Sequence, residues 1–273
     1  MDMDCEFPDN PRFVLAREAI FEAGRLALES FADLANLETV EKFNGQDIVS
    51  AADKAVEALI RARISAAFPE DGILGEEQGL TEGSSDFVWV IDPIDGTSCF
   101  VHGLKDWCVS VAVLKRSETV LGLICQPTTD EFFAAKAGGG AFLNGRPISV
   151  DTRGTISTGL LGVGANFRIP PRQVSAFIHL LLEAGGMFIR SGSGALMLAH
   201  VACGRLIGYY EPHINSWDCL AALCLIREAG GWTADFPIPE ALLSGCPVIA
   251  AAPSARDELQ RLVAQSLTSG ELS

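Results

Sequence analysis

The stretch Trp89-Val90-Ile91-Asp92-Pro93-Ile94-Asp95-Gly96-Thr97 decides the reading of this chain. An apolar run, Phe87 to Ile91, reads as a buried strand that ends in two aspartates three residues apart. Side chains alternate faces along a strand, and Pro93 is expected to impose a turn that lets Asp92 and Asp95 converge on one point. Two converging carboxylates repel unless they are protonated or neutralised by a cation. Hard oxygen donors of this kind suit Mg²⁺, which keeps several waters and accepts carboxylates and backbone carbonyls. Gly96-Thr97 then leads into Ser98-Cys99-Phe100. A glycine turn that opens onto free backbone N–H groups can receive an anion, and Thr97 adds a hydroxyl. A metal pair beside an anion cradle is the layout for phosphoryl transfer to water. The same residues also read as an Asp-Pro, Asp-Gly turn capped by its own side chains.

Two other places favour the site over the turn. Gly75-Glu76-Glu77 follows the strand-like Gly72-Ile73-Leu74, although adjacent acids in a loop are commonly just solvated. Asp218, after Trp217, starts the nearly all-apolar helix Cys219 to Ile226. An aspartate there reads as an N-cap. A helix that apolar belongs in the core, where a bare carboxylate is costly. Capping and metal ligation are compatible, because the two oxygens of Asp218 can serve different partners.

The chain has 273 residues, the length of one large domain or two intimate ones. Its 48% hydrophobic and 20% charged content exclude a disordered chain. A net charge of −15 argues against nucleic acid and anionic lipid as partners, since both demand Lys and Arg. The acidic start Met1-Asp2-Met3-Asp4 lacks the basic-then-apolar order of a signal peptide, and no apolar run reaches about 18 residues. None of the eight cysteines forms a C-x-x-C pair, and the four histidines lack zinc-ligand spacing. A reduced, cytoplasmic protein is expected.

Asp9-Asn10-Pro11 signals a helix start, and Phe13, Ala16, Ile20, Ala23, Ala27 and Phe31 recur at helical spacing over about 11–34. A second helix is predicted from Lys54 to Phe68 with Val56, Leu59, Ile60, Ile64 and Ala67 inward. Trp107 to Leu114 and Thr119 to Cys125 read as a hairpin turning at residues 115–118. Further helices are predicted over Pro171–Ala184, after Ser191-Gly192-Ser193-Gly194, from Asp218 to Gly230, and over Ala255–Leu267. Residues 151–158 mark a boundary. It divides an N-terminal α+β half, 1–155, carrying most metal ligands, from a C-terminal half, 156–273, that completes the site with Asp218 and substrate contacts.

These motifs, in this order, resemble the inositol monophosphatase family of Mg²⁺-dependent, lithium-sensitive phosphatases. The resemblance runs from about Lys42 to Gly231. It includes Asp47-Ile48-Val49-Ser50-Ala51-Ala52-Asp53, similar to the family's D-x-V-T-x-x-D, as well as Gly192-Ser193-Gly194 and Tyr209-Tyr210-Glu211. It implies an α-β-α-β-α layered sandwich, a homodimer, and two or three Mg²⁺ ions. By the resemblance, Glu76, Asp92 and the carbonyl of Ile94 hold the first ion. Asp92, Asp95 and Asp218 hold a second, and Glu76 reaches a third through water. Thr97 and Glu76 orient the attacking water, with Asp53 behind Thr97. Gly96 and Thr97 offer N–H groups to the phosphate. Asp95, Gly192, Ser193, Gly194, Glu211 and Asp218 face the substrate. Lys42, with Asp47, lies on a loop near the metals.

The implied activity is hydrolysis of a small polyol phosphate, inositol monophosphate first, by in-line attack of a metal-activated water. Histidinol phosphate, fructose 1,6-bisphosphate and 3′-phosphoadenosine 5′-phosphate are substrates of related families. A transcription-associated binding protein on the same fold is the non-enzyme alternative. Departures from the family pattern fall on the substrate side. Gly194 replaces the usual alanine, which is expected to widen the wall. The segments 162–167 and 211–216 differ, and His213 reads as a loop histidine.

Overall fold

The computed structural model describes residues 6–41 and 48–269. Helix α1 (Pro11–Ala32) starts as its sequence predicts: the Asn10 side chain accepts from the N–H groups of Arg12 and Phe13. Its buried stripe runs from Phe13 to Ala27, while Phe31 is half-buried against Phe100 and Trp107. The short antiparallel strands β1 (Thr39–Glu41) and β2 (Ile48–Ser50) lead into α2 (Ala51–Ala67). This helix begins three residues before the predicted start. Ser50 and Asp53 close a capping box over its first turn. Its buried stripe also includes Asp53, Glu57 and Arg61, so counting apolar residues alone misplaces it. Ala67 is exposed and Leu59 only half-buried.

The strands β3 (Gly72–Gly75), β4 (Gly79–Thr81) and β5 (Phe87–Asp95) precede a short helix α3 (Thr97–Val101). After it come β6 (Cys108–Lys115), β7 (Glu118–Gln126), β8 (Glu131–Lys136), β9 (Gly140–Leu143) and β10 (Arg146–Pro147). Among the described residues these strands form one eight-stranded sheet in the order β10-β9-β8-β7-β6-β5-β3-β4. Only β3 and β5 pair in parallel. The β6–β7 hairpin turns on Arg116 and Ser117 alone, because Lys115 and Glu118 still pair across the strands.

The rest of the chain alternates: β11 (Leu160–Val163), α4 (Pro171–Glu183), β12 (Met187–Ile189), α5 (Gly194–Ala202), β13 (Gly208–Ile214) and α6 (Ser216–Glu228). It closes with β14 (Trp232–Thr233), α7 (Glu240–Ser244), β15 (Cys246–Ala251) and α8 (Arg256–Ser269). The second sheet has the order β12-β11-β13-β15-β14.

Three apolar clusters show how the layers stack. The first joins α1 and α2 to one face of the large sheet through Phe13, Ile20, Val56, Trp89, Ile91 and Val111. The second fills the space between the two sheets with α5 and α6, from Val90 and Phe133 on one side to Tyr209 and Val248 on the other. The third joins the far face of the small sheet to α4 and α8. The fold is the layered α-β-α-β-α sandwich. Helix α6 lies in its middle layer, which is why every residue from Cys219 to Ile226 is buried.

The described cysteines are all free. Cys108, Cys125, Cys219 and Cys224 are buried, and burial pushes the thiols of Cys125 and Cys224 up to about 12. Cys99, Cys203 and Cys246 are only half-buried. No helix of the described residues is long and apolar enough to cross a membrane.

Candidate active site

The chain does not turn at Pro93. Strand β5 runs on to Asp95, and the aspartates converge through a β-bulge instead. Asp92 sits opposite Ser110 and Asp95 opposite Cys108, so β5 spends three steps where β6 spends two. The extra residue shifts the alternation by one. Ile91 and Ile94 both enter the cluster beneath α1 and α2, which leaves Asp92 and Asp95 together on the opposite face, toward α5 and α6. Proline fits here because it has no N–H to give to a ladder that the bulge has already interrupted.

Asp218 is the third residue of α6, and Asn215 is its N-cap, so the predicted cap position is corrected by three residues. Asp218 Oδ2 accepts from the backbone N–H and the side-chain Nδ2 of Asn215, at 3.0 and 3.2 Å. The carboxyls of Asp92 and Asp218 lie within hydrogen-bonding reach of each other. Glu76 follows β3 at the same sheet end, its N–H donating to the carbonyl of Ile91. Glu76, Asp92 and Asp218 each offer an oxygen within 4.8 Å of the others. Asp92 Oδ1 is buried and has no hydrogen-bond partner. Three converging carboxylates and an orphaned buried oxygen fit a hard divalent cation.

Asp95 stands beside this trio rather than in it. Its Oδ2 accepts from the hydroxyl of Ser193 and from the N–H of Ala195, at 2.6 Å for the latter. Thr97 Oγ1 lies 3.0 Å from the Ile94 carbonyl and 3.1 Å from Asp53 Oδ1, so one hydroxyl proton serves one of the two at a time. The other Asp53 oxygen accepts from Ser50. Gly96 joins β5 to α3 at φ 98°, where a side chain would be strained.

A cleft of about 720 Å³ opens over these groups. Glu76, Asp95, Gly96, Thr97, Gly192, Gly194, Glu211 and Asp218 line it. Asp92 and Asp53 lie buried outside the lining, the latter behind Thr97. Ser193 is buried as well: its hydroxyl donates to Asp95 and accepts from Leu196 N–H, which makes it a support of the wall rather than part of it. The wall at Gly194 is not widened, because Ile214 Cδ1 lies 2.9 Å from where a Cβ would stand. His213 lies on β13, not in a loop, and its Nε2 is 2.9 Å from the Ser244 carbonyl, away from the lining. Lys42 and Asp47 lie outside the described residues.

Some groups escaped the sequence reading. Glu211 accepts from the Tyr209 hydroxyl and, at 3.1 Å, from Asn166 Nδ2. Asn166 belongs to the segment 162–167 that departs from the family pattern. It approaches Glu211 through the parallel pairing of β11 with β13, which no local spacing reveals. Arg168 and Arg190 also reach the cleft from non-matching or unremarked positions.

The buried acids of the site all sit above the usual carboxylate range. Burial first, then the charges of Glu76, Asp95 and Asp218, push Asp92 well above the usual carboxylate range. Burial and Asp218 push Asp95 up to about 8. Burial holds Glu211 at about 7 and Asp53 at about 6. Burial likewise raises Asp218. So many buried acids cannot all ionise at neutral pH without a cation among them.

Comparison with known proteins agrees with this geometry. The family model described as the inositol monophosphatase family matches residues 10–270. An inositol-1-monophosphatase of Rhizobium meliloti is 38% identical over 222 residues, 80% of this chain and 83% of that protein. The Nus factor SuhB of Xylella fastidiosa is 39% identical over 222 residues, 80% of each. The crystal structure of the extragenic suppressor protein suhB from Bartonella henselae superposes with a TM-score of 0.87 at 30% identity. It covers 93% of this chain and 98% of that one. Across nearly its whole length, then, the chain belongs to the inositol monophosphatase family of phosphoric monoester hydrolases.

Proposed function

We propose that this protein is a Mg²⁺-dependent phosphomonoesterase acting on a small polyol phosphate, inositol monophosphate first. The observations that carry the reading are the trio Glu76, Asp92 and Asp218 and the buried, unpartnered Oδ1 of Asp92. In this reading Glu76, Asp92 and the Ile94 carbonyl hold one ion, and Asp92, Asp95 and Asp218 hold another. Glu76 reaches a third ion through water. Bound divalent cations neutralise the carboxylates and supply Lewis acidity at the phosphoryl group and its attacking water.

The chain's own residues do the positioning. Thr97, hydrogen-bonded to Asp53, and Glu76 orient the water for in-line attack. The N–H groups of Gly96 and Thr97 receive phosphoryl oxygens. Asp95, Gly192, Gly194 and Glu211 face the alcohol. The carboxylates are placed for cations, not as acids and bases. The homodimer and the cytoplasmic location belong to the same proposal, to be tested by light scattering and cell fractionation.

The test is phosphate release from inositol 1-phosphate, histidinol phosphate, fructose 1,6-bisphosphate, glycerol 2-phosphate and 3′-phosphoadenosine 5′-phosphate. Each is assayed with and without Mg²⁺ and Li⁺. The expected result is Mg²⁺-dependent, Li⁺-inhibited release, fastest from inositol 1-phosphate. No release from any of the five with Mg²⁺ would overturn the enzyme reading. Similarity to a protein named a Nus factor favours a second reading, a transcription-associated binding role. Binding to a transcription complex that survives Asp92→Asn would support that role independently of catalysis.

A further inference from the structure

Helix α2 carries a charged pair inside the molecule. Glu57 is fully buried and Arg61 nearly so. Arg61 Nε donates to Glu57 Oε1 at 2.7 Å. The same Glu57 carboxylate accepts from the backbone N–H of Glu77 at 2.7 Å and of Gln78 at 3.0 Å. Arg61 also donates to the Gly79 carbonyl and, at 3.2 Å, to Thr81 Oγ1. Gly75 approaches so closely that a Cβ there would lie 2.4 Å from the Glu57 carboxyl. Two side chains of one helix thus hold the segment from Glu77 to Thr81, immediately after Glu76.

Such a pair is an expensive way to fill a core. Apolar residues of similar volume do as well or better for stability, whereas removing one partner strands a buried charge. The contacts here are not spread over the core. They fall on one loop, and that loop carries a member of the carboxylate trio. Glu57 is not part of the trio, and its carboxylate holds the backbone N–H groups of the two residues after Glu76. A loop held before the cation arrives presents Glu76 already oriented, so binding does not also have to order the loop.

We propose that Glu57, backed by Arg61, is a positioning residue that sets divalent-cation affinity by fixing the backbone of the Glu76 loop. The proposal rests on the reading of Glu76 as a metal ligand.

The experiment is calorimetric titration of Mg²⁺ into the substrate-free protein. It compares wild type, Glu57→Gln and Asp71→Asn. The last removes a different buried carboxylate, one that holds Arg12, Ser85 and Trp89. Glu57→Gln is expected to weaken Mg²⁺ binding by about 10–100-fold, the usual effect of losing a partner behind a metal ligand. The Mg²⁺ needed for half-maximal phosphate release should rise by the same factor, with kcat at saturating Mg²⁺ near wild type. Asp71→Asn should lower the melting temperature and leave Mg²⁺ affinity unchanged. A Glu57→Gln protein that binds Mg²⁺ like wild type overturns the clamp alone. A wild type that binds no divalent cation overturns both the clamp and the metal reading beneath it. Should Glu57→Gln not fold, hydrogen exchange in the wild type decides. The amides of Glu77 and Gln78 are expected to be protected in EDTA, and protection that arises only with Mg²⁺ overturns the clamp.

Discussion

Burial raises the Asp92 carboxyl most, and its acidic neighbours Glu76, Asp95 and Asp218 add to the effect. Two predictions belong at this scale. Asp92→Asn is expected to bring Mg²⁺-dependent phosphate release down to background. In EDTA the same variant should melt no lower than wild type, because burial and the neighbouring acids force the Asp92 carboxyl to take up a proton on folding, a cost an amide does not carry. A melting temperature well below wild type in EDTA would mean that Asp92 holds the fold, not a cation. The second prediction concerns pH. Asp53, Glu211 and Asp95 have folded values near 6, 7 and 8, all above those of an unfolded chain. The metal-free folded state therefore holds protons that the unfolded state releases, so stability is greatest at low pH within this set. It is lost as pH rises from about 4 to about 8. Thermal melts in EDTA should fall across that window, and Mg²⁺ should flatten the fall above pH 6. A melting temperature in EDTA that climbs from pH 5 to 8 would contradict this.

Elements set where those residues point. The capping box of α2 joins helix start to site, since Ser50 holds the Asp53 carboxylate whose other oxygen meets Thr97. Ser50→Ala is expected to cost about 1 kcal/mol of stability, measured by urea unfolding, and to lower kcat more than it raises KM. Gly96→Ala forces a side chain into φ 98° with its Cβ 2.7 Å from the Asp106 carbonyl. It should cost more than about 1 kcal/mol and misplace the Thr97 N–H, seen as a raised KM. That Glu76, Asp92 and Asp218 come together was legible in the sequence, because each stands at or near the end of a strand or a helix. The route by which they meet was not. A proline between two aspartates reads as a turn, and only the pairing of Asp92 with Ser110 and Asp95 with Cys108 reveals a bulge. Glu57 and Arg61 stand four apart on a helix, the spacing of an ordinary solvated pair, and only the packing of α2 on the large sheet buries them. Asn166 was hidden for a similar reason, since its neighbour Glu211 is 45 residues away.

At the scale of the molecule, both helix layers that touch the large sheet matter, yet they come from opposite ends of the chain. Residues 72–147 build that sheet, and α5 and α6, from residues 194–228, cover one face of it. A chain of residues 1–155 alone should expose Val90, Ala112, Leu114, Ile124 and Phe133, and is expected to aggregate or bind a hydrophobic dye. Co-expression with residues 156–273 should restore a soluble, Mg²⁺-binding complex. A soluble, cooperatively melting 1–155 fragment would contradict the shared middle layer.

The burial of α6 also has a consequence for biosynthesis. Translation reaches the last strand of the large sheet about 80 residues before it completes this helix. At elongation rates of about 5–20 residues per second the interval is roughly 10 s, long compared with the collapse of a nascent chain. Throughout it, one side of the growing sheet is bare and greasy at the mouth of the ribosome. The last acid of the trio, Asp218, emerges with the helix that ends this exposure. The chain thus completes its candidate cation site in the same stretch of synthesis that closes its core.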